Sequence, residues 1–104
     1  MGKKRGYILD RKAENYLEHY MEKIVWRYLQ GEITQRDTDA FRGVIDALWN
    51  MDFFTIQGYT LLHNFSYFLE GKRNYEEDED RVHQELCNIY EEQFRERGMF
   101  DNEG

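Results

Sequence analysis

The chain has 104 residues, of which 40% are hydrophobic and 16% aromatic, and a formal net charge of −7. That length suits one domain and leaves little material for both a core and a large enclosed active-site cavity, so composition favours a binding module over a catalyst. The acidic balance argues against direct nucleic-acid binding by the chain as a whole, because the phosphate backbone demands a positive footprint.

Residues 1–9 read as a basic arm carrying Lys3, Lys4 and Arg5, residues 10–98 as a helical domain, and residues 99–104 as an acidic tail. The expected fold class is all-α, a compact bundle of about four helices in a single domain. With no proline present, helix ends must be read from glycines, caps and the apolar period. The first helix is expected to open at Asp10 and to bury Ala13, Tyr16, Leu17, Tyr20, Ile24 and Tyr28 before stopping at Gly31. Thr34 and Asp37 make a capping-box pattern ahead of Phe41, Val44, Ile45 and Leu48 in the second helix. Thr55 caps a third, in which Tyr59, Leu62, Phe65, Ser66 and Leu69 face one way until Gly71 ends it. Ile56, Leu61, Tyr67 and Phe68 make this helix apolar around most of its circumference, as a central element should be. The fourth is expected near Asn74, with Glu77 at the capping-box position and a core face of Val82, Leu86, Ile89, Tyr90 and Phe94. Short connections favour antiparallel neighbours, and Gly43 and Gly58, inside helices, suggest close packing.

Charge is unevenly spread. Residues 74–104 hold eleven Asp or Glu against three Lys or Arg, a local net of −8. Glu76, Glu77, Asp78, Glu79 and Asp80 concentrate five carboxylates where a helix start favours negative charge, yet one or two suffice for that purpose. The surplus, continued through Glu85, Glu91, Glu92 and Glu96 and on to Asp101 and Glu103, has two readings. It either keeps an aromatic-rich protein soluble or imitates phosphates to dock on a basic nucleic-acid-binding protein. A second route to a partner is aromatic. Tyr7, Trp26, Trp49, Phe53, Phe54, Tyr67 and Tyr75 fall off the main stripes, and Trp49, Phe53 and Phe54 are the candidates for an exposed interface or a homodimer contact. A connection that tucks its phenylalanines under the bundle would look the same.

Motifs for chemistry are weak, and neither a cofactor nor a metal is expected. His83 and Cys87 share one helix face, but a zinc site would need His19 or His63 from elsewhere, there is no Cys-x-x-Cys, and a small core-facing thiol is the simpler reading. The Glu-x-x-His pairs of di-metal bundles, a Gly-x-Ser-x-Gly elbow around the single Ser66, and a phosphate-cradling glycine loop are all missing. No apolar run approaches the roughly 20 residues of a membrane span. Cys87, the lone cysteine, cannot close an internal disulfide, so a cytoplasmic setting is expected.

The runs Gly31-Glu32-Ile33-Thr34 and Val44-Ile45-Asp46-Ala47-Leu48-Trp49-Asn50-Met51-Asp52 resemble stretches of small helical proteins encoded by phages and mobile elements. The resemblance implies an accessory or inhibitory protein of the kind that anti-CRISPR proteins exemplify.

Overall fold

The computed structural model describes residues 11–100. Four helices follow one another: α1 (Arg11–Leu29), α2 (Gln35–Asn50), α3 (Ile56–Glu70) and α4 (Glu79–Glu96). The outer two are the longer, at 19 and 18 residues against 16 and 15. Each helix packs against its neighbour in sequence and α1 also packs against α4, which closes the ring into an all-α bundle. The basic Lys3, Lys4 and Arg5, the Asp10 cap, Tyr7, and the acidic Asp101 and Glu103 lie outside the described residues.

Local chemistry sets most boundaries. Thr34 and Asp37 form the reciprocal capping box, the Thr34 N–H donating to Asp37 Oδ2 at 2.9 Å and the Asp37 N–H to Thr34 Oγ1 at 3.3 Å. Thr55 Oγ1 accepts from the Gly58 N–H at 3.1 Å. Gly31 and Gly71 follow their helices with φ of 74° and 82°, the left-handed conformation that ends a helix most cheaply when no Cβ is present.

Two helices depart from the expected faces. In α1 the buried set is Ala13, Leu17, Met21, Ile24 and Val25, while Tyr16 is exposed and Tyr20 and Tyr28 are half-buried. Compact aliphatic side chains take the centre, and the tyrosines flank it, where rings can pack and hydroxyls reach water: Tyr20 stacks on Phe41 at 5.8 Å and Tyr28 meets Phe68 at 6.0 Å. In α4 the buried residues are His83, Cys87, Tyr90 and Phe94, with Leu86 half-buried and Val82 and Ile89 exposed. The helix is rotated from the expected face and starts at Glu79 rather than near Asn74. No Asn74–Glu77 capping box forms. Tyr75 instead folds back over the helix, its hydroxyl on Asp80 Oδ1 at 2.7 Å and its ring edge-on to His83 at 4.9 Å.

Gly58 is buried and lines a cleft with the α1 residues Leu17 and Met21, whereas Gly43 is exposed and a Cβ there would meet nothing within 4 Å. Close packing does not explain Gly43. Gly43→Ala is therefore expected to stabilise the fold by about 0.5–1 kcal/mol, through helix propensity alone, in urea-induced unfolding. A loss of stability would mean that the position is crowded.

Candidate functional site

The acidic run divides into two parts. Glu79 accepts a hydrogen bond from Asn64 Nδ2 at 2.9 Å and lies 2.9 Å from His83 Nε2, tying the start of α4 to α3. Asp80 holds Tyr75 and pairs with Arg73 at 2.6 Å. These two carboxylates, expected to face a partner, are turned to internal contacts. Glu76, Glu77 and Asp78 are exposed, and their side chains make no hydrogen bond or ion pair with any described residue.

The rotation of α4 determines what accompanies them. Asp78, Val82, Glu85, Ile89, Glu92 and Glu96 are spaced alternately by four and three residues, so they lie along one line of the helix, opposite His83, Cys87, Tyr90 and Phe94. All six are exposed, Val82 at 46% and Ile89 at 54%. Arg81 flanks the line, whereas Arg95 is drawn aside by Glu91 at 3.1 Å and Arg97 by Glu22 of α1 at 3.3 Å. Carboxylates alternating with aliphatic side chains thus form the face of α4 that meets solvent. Sequence periodicity places Val82 and Ile89 in the core because His83 is not scored as a core former, although Cys87 is expected to face inward. The stripe His83, Cys87, Tyr90 and Phe94 has the same helical spacing and would have revealed the alternative.

The aromatic candidates fare differently. Phe54 is 4% exposed and belongs to the core, which corrects its assignment to an interface. The turn that tucks it in bonds the Asp52 N–H to the Trp49 carbonyl at 2.9 Å and the Phe53 N–H to the Leu48 carbonyl at 3.0 Å, with Asp52 at φ 63°. Phe53 and Trp49 are half-buried against the core, Trp49 stacked on Tyr59 at 4.7 Å. Trp26 stands edge-on to Phe94 at 5.2 Å, and Tyr67 lies under the Arg42 guanidinium at 4.7 Å. Ring-to-ring and ring-to-cation packing inside one chain absorbs most of the surplus.

Two sets of polar side chains are enclosed among the described residues. Between α2 and α3, Glu70 accepts hydrogen bonds from Thr38 and from Arg42 Nη2 (2.7 Å), and Arg42 Nη1 also donates to Ser66 Oγ at 3.0 Å. Burial pushes the Glu70 carboxyl up, but the bonds from Thr38 and Arg42 outweigh it and hold the group below the usual carboxylate range. Cross-helix pairs of this kind have no signature in a single sequence. The other enclosed group is His83, without exposed surface among Phe65, Phe68 and Tyr75. Its Nε2–H donates to the Glu79 carboxylate, and its Nδ1 is buried without a partner. Cys87, one turn on, is 1% exposed, and burial pushes its thiol up to about 12, the opposite of a poised nucleophile or metal ligand. No group of three His, Cys, Asp or Glu side chains that could hold a metal occurs among the described residues, where His19 is exposed and His63 pairs with Asp46 at 3.0 Å.

No family model, curated protein or solved structure matches the chain. Among the described residues, no helix is long and apolar enough to cross a membrane.

His83 gives the fold a pH dependence. Burial lowers its pKa below the usual 6.5, against the opposing pull of Glu79 and Asp80. On acidification the unfolded chain takes up its proton first, so the stability contribution is complete above the unfolded pKa and is lost as pH falls from there through the folded value. Urea midpoints are expected to drop between about pH 7.5 and pH 5.5, with a shallower drop in His83→Gln. Equal slopes in the two proteins would remove His83 as the cause.

Proposed function

We propose that the protein is a non-catalytic modulator that binds a basic protein through the outward face of α4. Its partner is a component of a nucleic-acid-processing complex, whose phosphate-binding surface the carboxylates occupy. The observation that carries this reading is the exposed line Asp78, Val82, Glu85, Ile89, Glu92 and Glu96, about 27 Å long at helical rise. Carboxylates at that spacing steer association with a positive surface, and the aliphatic side chains between them supply contact area that a basic protein can cover. Solubility accounts for the acids but not for the valine and isoleucine placed among them.

The alternative of a homodimer joined through exposed aromatics has less support. Phe54 is buried, Trp49 and Phe53 are packed against the core, and two copies meeting through α4 would bring like charges together. With the resemblance of residues 31–34 and 44–52, the reading extends to an inhibitor encoded by a phage or mobile element and acting in the host cytoplasm.

The test is affinity capture from the native host with the full chain and with a variant carrying E76Q, E77Q, D78N, E85Q and E92Q. Glu79 and Asp80 are left intact because they hold the fold. The wild type is expected to retain a basic nucleic-acid-binding protein that elutes as salt rises, and the variant to retain at least about tenfold less. Equal retention by the two chains would overturn the reading.

A further inference from the structure

Beside the outward face of α4 lies a cleft of about 250 Å³ where α1, α3 and α4 meet. Leu17, Met21, Leu62 and Tyr90 make its floor, Leu61 and Leu86 its half-buried walls, and Glu14 and Glu18 contribute carboxylates to its lining. The volume falls below the roughly 300–1,000 Å³ typical of small-molecule sites, so one or two apolar side chains suit it better than a cofactor. The apolar wall is not confined to the cleft. Val82 precedes Leu86 by four residues and Ile89 follows it by three, so the three side chains form one ridge running from the cleft onto the exposed face.

Resting on the partner reading above, we infer that this cleft and ridge receive an amphipathic helix of the basic partner. An apolar side chain of that helix seats against Leu61 and Leu86, and its flanking lysines or arginines meet Glu14 and Glu18 on one side and Glu85 and Glu92 on the other. Two observations select this occupant. The i, i+4, i+7 spacing of Val82, Leu86 and Ile89 is the ridge into which a second helix packs, the helix-in-groove mode of peptide recognition. Carboxylates from both α1 and α4 border the apolar strip, so charge complementarity requires a cationic partner and disfavours a second copy of this acidic chain.

The probe is a synthetic helical peptide with leucines at i, i+4 and i+7 and lysines on both flanks, paired with a scrambled peptide of the same composition. Titration calorimetry with the full chain at low salt is expected to show the helical peptide binding at least about tenfold more tightly than the scrambled one. The variant V82S/I89S changes only exposed residues and is expected to erase that difference while leaving the scrambled peptide's affinity unchanged. Equal affinities in the wild type would overturn the groove and leave an acidic face that attracts any polycation. No binding of either peptide would overturn the acidic-face reading with it. If deleting residues 1–9 raised helical-peptide affinity and shifted the amide resonances of Leu61 and Leu86, the chain's own start would be the occupant, and the inference would fall.

Discussion

Glu70→Ala is expected to cost about 1.5–3 kcal/mol, a sizeable part of the roughly 5–15 kcal/mol that holds a domain of this size together. The Glu70 side chain is 6% exposed and that of Arg42 14%, so truncating the acid leaves a poorly hydrated guanidinium whose Nη2 keeps only the more exposed Asp39, at 2.6 Å, as an ionic partner. Thr38, with no exposed surface, loses a partner in the same step. The penalty is mostly that of leaving Arg42 and Thr38 under-satisfied, because in a poorly hydrated site the desolvation of two charges offsets much of their attraction. Two consequences separate this account from simple loss of packing. Arg42→Ala combined with Glu70→Ala should cost less than the sum of the single changes. Glu91→Ala, which breaks the exposed pair with Arg95, should cost only about 0.3–0.5 kcal/mol. Urea unfolding followed by circular dichroism measures all four variants against the wild type, and a Glu70→Ala loss below about 1 kcal/mol would mean that water reaches the pair.

Phe94→Ala is expected to cost about 3–5 kcal/mol, and Ile89→Ala, five residues earlier on the same helix, less than about 0.5 kcal/mol. Phe94 is 1% exposed and joins α4 to α1 through the Trp26 ring, so its removal opens a cavity that neighbouring rings can fill only in part. Ile89 points to water and loses almost nothing. The contrast measures the rotation of α4 directly, because the register expected from periodicity would make both residues core and both changes expensive. It also bears on function, since only a helix held by Phe94, Tyr90 and Cys87 turns Val82 and Ile89 outward beside the carboxylates. A cost above about 2 kcal/mol for Ile89→Ala would place it in the core and remove the apolar half of the proposed face.

The all-α class, the number of helices and most of their ends were legible in the sequence, because their causes act within a few residues. Thr34 reaches its own third helical residue, Thr55 caps its own helix, and Gly31 and Gly71 need only their own backbone freedom. The stripes of α2 and α3 were legible for a related reason: Phe41, Ile45 and Leu48 give α2 one clearly apolar side, and in α3, apolar around most of its circumference, Leu62, Phe65 and Leu69 still recur at helical spacing. In α4 the same rule was ambiguous. Val82–Leu86–Ile89 and His83–Cys87–Tyr90–Phe94 are competing stripes about one residue apart, and a single helix has no means of choosing between them.

The choice was made by its neighbours. Trp26 offers a face to Phe94, Phe65 and Phe68 enclose His83, and Asn64 fixes Glu79, all through contacts between residues far apart in the chain. The pairing of Arg42 with Glu70 and of Glu79 with Asn64 arises in the same way, whereas Asp80 is held by Tyr75 and Arg73 from the connection just before its own helix. Sequence by itself therefore determined an acidic helical bundle, since composition, caps and periodicity are local properties. Only tertiary packing decided which carboxylates remained outside and which aliphatic side chains stood among them, because packing sets the rotation of a helix about its own axis.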